Sequence, residues 1–474
     1  MNRFLPKAAS EIEGRRWFGL DLAKRVSQLA VLDDKGAQIA QKRFATTREN
    51  LLALAAELKQ DDTLALEVTT NAISIARLLR ANSPARLIMS NPMRTKLIAK
   101  AKVKTDKIDA RVLAELARVD YLPEVWLPDE DTESLRQFFS DRRSLVDRRT
   151  ELKNTVHSVL HRNLIHAAQT DIFGKGGREW LDQLVAAQLD VRIGELDRLR
   201  LGSLLVEIDR QDALVRDQDA VIASFIATRP HLRKQLDLLV TIPGVSMVVG
   251  AGVLAAIGDI KRFGSAKKLA AYFGVVPSTK QSGDKEAKNG RITKQGRAEA
   301  RWLLVEAAEH LRKAPGPVRA LYQRISRQRG HNVAVVAVAR KLAELVFHLL
   351  TKQREYLYQV PKRTLDKRSN WRLMARRKIG VELKSAAQKA VGRPVLYGTG
   401  EYGPRLKREV LRRAAAQAER LYAAMVKERA APDKTETVRS EDLVFDPMRP
   451  SQTDWEKVLA KVAEKLLAAR KQTA

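Results

Sequence analysis

Trp17-Phe18-Gly19-Leu20-Asp21-Leu22 reads as a buried strand with an aspartate set into it. Burying an ionised carboxylate costs several kcal/mol unless a cation or hydrogen-bond donors compensate. A second apolar run, Thr63-Leu64-Ala65-Leu66-Glu67-Val68, also closes on an acid. Asp106 and Asp109 stand three apart where a helix begins, so they share one helix face. Asp21, Glu67, Asp106 and Asp109 are hard oxygen ligands that suit Mg²⁺. Two such ions about 4 Å apart would stabilise the attacking and leaving oxygens of a phosphoryl transfer. Taken singly, each acid reads more readily as a surface acid or ion-pair partner among the many cations. It is the four together, in this order of elements, that favour the metal site. One of Asp106 and Asp109 could instead orient a lysine or cap the helix.

Working outward, three strands are expected at Arg16–Leu22, Gln28–Leu32 and Ala37–Ala45, joined by polar turns. Leu51, Leu54, Ala55 and Leu58 have helical spacing and predict a helix over Thr47–Gln60. Strand 63–68, helix 71–80, strand 85–89 and helix 92–101 follow. Three hairpin strands followed by alternating helix and strand is the order of a ribonuclease H-like α/β sheet. In that topology Asp21 and Glu67 lie side by side.

Lysine and arginine number 87 against 56 acids, a net charge of +31. That excess favours a polyanionic partner, either nucleic acid or an anionic membrane surface. The chain has no cysteine, which excludes disulfides and thiolate-held metals. No apolar leader is apparent, and a cytoplasmic, nucleoid-associated protein is expected. Leu238 to Gly258 carries no charge and is long enough to cross a bilayer. Pro243, Gly244, Gly250, Gly252 and Gly258 break it, so no membrane partner is expected.

The expected organisation is an N-terminal tail (1–14), the ribonuclease H-like sheet domain (15–128), a helical coiled-coil arm (129–230), a mostly helical domain (231–354) and a basic helical C-terminal extension (355–474). An ordinary bundle is the alternative for the arm, whose apolar residues run from Leu135 to Val215. Val240–Asp259 reads as a helix-hairpin-helix-like element with a Pro-Gly turn that presents N–H groups to phosphate. A polar loop is expected at Ser278–Gly290, and helices near 297–313 and 332–351. Further helices are expected at 404–430 and 453–470. Lys261 to Arg301 holds eleven basic and three acidic residues.

These stretches together resemble the insertion sequence 110 family of transposases. The resemblance rests on Gly19-Leu20-Asp21, Leu66-Glu67 and Lys104-Thr105-Asp106-Lys107-Ile108-Asp109-Ala110, the pattern of that family's DEDD motif. It also rests on Ile242-Pro243-Gly244, Gly258-Asp259, Phe263, Gly274-Val275-Val276-Pro277, Ser282-Gly283 and Gly290 to Gly296. Together these cover about residues 15–353. Val68-Thr69-Thr70 stands where the family commonly has Ala-Thr-Gly, and Ser246 where it has glycine. The last 120 residues have no counterpart in it.

The resemblance implies a DNA recombinase whose RuvC-like and serine domains build composite active sites in a homo-oligomer, a dimer or tetramer. It implies guidance by a structured noncoding bridge RNA that pairs with target and donor DNA. Ser282 is the implied nucleophile. On residues alone, a serine before glycine in a polar loop is an ordinary turn residue, and Ser278 is its nearest competitor. Expected nucleic-acid contacts are Lys100, Lys102, Lys104, Lys107, Lys280, Lys285, Arg291, Lys294 and Arg297, with Trp371 stacking on a base. Two other classes fit the same residues: a Holliday-junction-type nuclease using the acids alone, and a non-enzymatic basic nucleic-acid-binding protein. A covalent protein–DNA adduct separates the recombinase from the first, and Mg²⁺-dependent cleavage separates it from the second.

Overall fold

The computed structural model describes residues 4–6, 12, 14–69, 71–98, 106–189, 193–281 and 288–379. The helices expected at 404–430 and 453–470 lie outside them. The chain divides into two compact units, 1–128 and 129–474.

The first unit is built on a five-stranded mixed sheet. Its elements are β1 (Trp17–Asp21), β2 (Val26–Leu32), β3 (Gln38–Ala45), α1 (Arg48–Glu57), β4 (Thr63–Glu67), α2 (Ala72–Ala81), β5 (Arg86–Ser90), α3 (Pro92–Ile98) and α4 (Asp106–Arg118). The strand order is β3-β2-β1-β4-β5. β1, β2 and β3 pair antiparallel, while β4 runs parallel to both β1 and β5. This is the ribonuclease H-like arrangement expected from the order of elements.

β1 is covered on both faces, which is why it reads as a continuous apolar run. Phe18 and Leu20 join Leu54 of α1, Leu79 of α2 and Leu64 and Leu66 of β4 in one core. Trp17 faces the other way and joins Ala65 with Leu113, Ala114 and Ala117 of α4. Period-two alternation thus sends odd positions of β1 and β4 toward α4. Phe4 and Leu5, assigned from sequence to a tail, are buried in the first core.

The second unit is helical. α5 (Glu130–Arg162) and α7 (Glu195–Ala227) have 33 residues each, with α6 (Lys175–Val185) between them. Arg142 pairs with Asp219 at 2.6 Å and Arg149 with Asp212 at 2.6 Å. One partner's number rises as the other's falls, so the two helices are antiparallel. Asp129 caps α5 by accepting from the Thr132 amide, and three acids occupy its first turn, which complements the helix dipole.

There follow α8 (Pro230–Leu239), α9 (Met247–Ile257), α10 (Ala266–Tyr272), β6 (Pro277–Lys280), β7 (Lys288–Ile292), α11 (Ala298–Leu311), α12 (Pro317–Arg329), α13 (His331–Lys352) and α14 (Pro361–Ile379). The uncharged stretch 238–258 resolves into the end of α8, a turn and the buried 11-residue α9. Among the described residues no helix is long and apolar enough to cross a membrane.

Residues 355–379, assigned from sequence to the C-terminal extension, pack into this unit's core. Tyr356, Trp371 and Ala375 belong to the same apolar cluster as α8 and α9. Arg372 reaches Asp237 at 2.6 Å, and the Tyr356 amide donates to the Thr241 hydroxyl.

Candidate catalytic site and nucleic-acid interface

The β1–β4 ladder ends at Leu20 with Leu66, so Asp21 and Glu67 follow as neighbours at the carboxyl ends of adjacent parallel strands. Both occupy odd positions and are partly buried. α4 lies across this face in the opposite sense. Its far end packs on Trp17, and its earlier residues Ala110 and Ala114 lie over Gly19. A β-carbon on Gly19 would stand 1.9 Å from the Ala110 carbonyl oxygen. That close approach brings the first turn of α4, with Asp109, to the edge where Asp21 and Glu67 stand. Asp109 is partly buried; the Asp106 side chain, and the residues carrying Lys100, Lys102 and Lys104, lie outside the description, as does the Lys107 side chain.

Among the described residues no three His, Cys, Asp or Glu side chains are grouped closely enough to hold a metal by themselves. Two uncharged oxygens add to the donor set. Gln28 lies opposite Asp21 in the β1–β2 ladder and is 7% exposed. Its Oε1 is buried without a hydrogen-bond partner. Thr69, two residues beyond Glu67, also has a buried, unpartnered Oγ1. A carboxylate pair flanked by orphaned oxygens fits a hard divalent cation, which takes oxygen ligands. Sequence reasoning missed Gln28, because only the strand register brings it to the acids.

In the second unit, β6 and β7 pair antiparallel through Lys280 and Lys288. A loop alone was expected here, because the strand residues are mostly polar. Ser282 and Lys285 stand between the two strands in the chain and, like the Lys280 side chain, lie outside the described residues. Ser278 is partly buried on β6, and a β-carbon added to Gly290 would stand 2.6 Å from its Oγ. Arg291, Lys294 and Arg297 are exposed along and after β7.

Beside this hairpin is a cationic cluster that spacing did not reveal. Arg136 donates to the Ala255 and Ala256 carbonyls at the end of α9, and Arg262 donates to Ile257. Tyr272 donates to Ala256, and Arg297 reaches its hydroxyl at 3.4 Å. The carbonyl end of a helix welcomes such donors. Burial, then Arg297 and Arg262, push the Arg136 guanidinium down to about 10, which leaves it charged at neutral pH. Burial alone would raise the Tyr272 hydroxyl, but Arg297 and Arg262 outweigh it and hold it below the ordinary phenol range.

Two expectations are corrected. The amide that follows the Pro243-Gly244 turn, that of Val245, is not offered to a phosphate. A β-carbon on Gly244 would lie 2.5 Å from the Ala307 carbonyl oxygen, so the turn is packed against α11. The Val245 amide is bound to Ile242, and Lys367 Nζ binds the Val240 and Ile242 carbonyls from α14. Trp371 does not present a ring for stacking, because it is 1% exposed inside the helical core. The basic residues around it lie on other faces of α14, which is how a dense basic run hides a core tryptophan.

Comparison with known proteins agrees with this architecture. A transposase profile for the DEDD domain of the IS110 group matches residues 18–164. A second profile, described as the transposase IS116/IS110/IS902 family, matches residues 236–323. The chain is 27% identical over 345 residues to the transposase for insertion sequence element IS1111A of Coxiella burnetii, covering 71% of this chain and 90% of the relative. It is 26% identical over 347 residues to a probable family 20 transposase of Pseudomonas aeruginosa, covering 71% and 97%. It is 27% identical over 279 residues to a pilin gene-inverting protein of Moraxella bovis, covering 56% and 73%.

Proposed function

We propose that this chain, which belongs to the IS116/IS110/IS902 family of transposases, cuts and rejoins DNA at an acid site made by Asp21, Glu67, Asp109 and Asp106. The observation that carries this reading is the juxtaposition of Asp21 and Glu67 at the ends of adjacent parallel strands under α4. These carboxylates would hold a divalent cation, Mg²⁺ by the oxygen chemistry of the donors. Such a cation supplies charge neutralisation at the reacting phosphate. The resemblance to a protein that inverts a pilin gene supports recombination rather than simple cleavage.

Ser282 is the nucleophile in this reading. Its Oγ attacks a DNA phosphorus, an Oγ–P bond forms, and one phosphorus–deoxyribose oxygen bond breaks. The hydroxyl proton leaves to a base, and the departing deoxyribose oxygen gains one. Attack by a DNA hydroxyl on the phosphoserine then restores the serine and joins the new strand. No histidine is near Ser282 in sequence, so a carboxylate is the base available to this chemistry. Ser282 lies in the chain between β6 and β7, which pair with each other.

The exposed Arg291, Lys294 and Arg297, with the charge of +31, are suited to phosphate backbones. A structured RNA carried beside the gene is the guide in this account, because the basic residues are spread over several segments of the sequence.

The test is recombination between target and donor plasmids by purified protein with and without that RNA. Wild type forms a denaturant-resistant protein–DNA adduct and recombinant product only with RNA. Ser282→Ala loses the adduct and Ser278→Ala keeps it. Recombination after RNase treatment would remove RNA guidance, and an adduct that survives in Ser282→Ala would remove the serine assignment.

A further inference from the structure

One face of β2 reads Val26, Gln28, Ala30, Leu32, and the glutamine interrupts an otherwise apolar row beneath α4. Gln28 is 93% buried by its 7% exposure, and its Oε1 meets no donor. An amide oxygen buried in this way costs about 1–3 kcal/mol. Leucine or valine would fill the position without that penalty and with better strand propensity. Fold stability therefore does not account for a glutamine here.

Its place in the sheet does. Residues directly opposite in an antiparallel ladder project to the same face, and Gln28 is opposite Asp21. Across the sheet, Gln28 on β2, Asp21 on β1 and Glu67 on β4 are successive neighbours at one edge. Thr69 follows Glu67 with a second orphaned oxygen. A neutral amide carbonyl is a common ligand of hard divalent cations, and it can bind the ion or a water on the ion.

We infer that Gln28 is a further oxygen donor of the divalent-cation site, completing with its Oε1 the set begun by Asp21 and Glu67. The inference rests on reading those two acids as the cation site. A bound cation or its water then satisfies the buried oxygen, and the local cost of Gln28 is offset only in the loaded state.

The experiment titrates the full chain, without nucleic acid, with Mn²⁺ alone, following free Mn²⁺ by electron paramagnetic resonance. Gln28→Leu removes the oxygen at similar size, Gln28→Glu adds charge, and Asp21→Asn is the control. Thermal unfolding in chelator reports the metal-free fold. Gln28→Leu is expected to weaken Mn²⁺ binding about tenfold while melting at or above the wild-type temperature. Gln28→Glu is expected to tighten binding, and it serves as the readout should Gln28→Leu fail to fold. Wild-type Mn²⁺ affinity in both Gln28 variants, with binding lost in Asp21→Asn, would overturn the role of Gln28 and leave the acid site standing. Wild-type affinity in Asp21→Asn would overturn the acid site and the inference with it.

Discussion

Gly19 and Ala110 are in backbone contact: a β-carbon on Gly19 would stand 1.9 Å from the Ala110 carbonyl oxygen and 2.6 Å from the Ala114 amide. The glycine two residues before Asp21 lets α4 settle onto β1 and carry Asp109 to the acid edge. Gly19→Ala must lift α4 from the sheet. The expected result is a loss of about 3 kcal/mol in stability, at the upper end of overpacking costs, together with loss of cleavage. Chemical denaturation measures the first. A variant of wild-type stability with full activity would show that α4 does not need this approach.

Arg16 and Asp62 form a fully buried ion pair just ahead of β1 and β4, with both side chains at 0% exposure. Arg16 also donates to the Glu57 carbonyl, and Asp62 accepts from the Lys59 amide. Removing one partner strands a charge, so Arg16→Met is expected to cost about 3–5 kcal/mol. The double variant Arg16→Met/Asp62→Leu should recover most of it. Equal losses in single and double variants, measured by denaturant midpoint, would mean that the pair is not what matters.

Lys367 supplies a pH signature. Burial, with Arg363 beside it, pushes its ammonium down to about 8 from an ordinary 10.5. Below pH 8 the lysine is charged in folded and unfolded chains alike, and the burial cost is fully present. Between pH 8 and 10.5 the folded chain releases the proton first, so stability rises with pH across that window. Relative to Lys367→Met, the wild type should gain about 2 kcal/mol from pH 7.5 to pH 10. A stability difference that stays flat over that range would contradict the burial argument.

The sheet unit was legible because its signals are local. Alternation places strands, and an acid ending an apolar run has few explanations. The positions of Asp21 and Glu67 follow from element order alone. Gln28 was not legible, since its meaning depends on which residue stands opposite across a hairpin. The hairpin of β6 and β7 was read as a loop because Ser278, Thr279, Lys288, Asn289 and Gly290 carry no apolar alternation. α12 carries the punctuation of a helix, opened by Gly316 and Pro317 and closed by Gly330, in a sequence that is mostly polar. Trp371 is buried within a basic run because local charge density says nothing about which face of a helix is buried. Arg136 and Arg262 meet through a separation of more than a hundred residues, beyond the reach of any spacing rule.

The most direct test is strand cleavage of DNA carrying the element's ends, by protein loaded with its RNA in Mg²⁺, comparing wild type with Asp21→Asn and Glu67→Gln. Each substitution keeps shape and removes one charge. The account predicts that both variants lose cleavage by about a thousandfold, the scale of losing a charge-stabilising group from a reacting centre, while binding DNA and RNA within about twofold of wild type. Cleavage at the wild-type rate by both variants would contradict it.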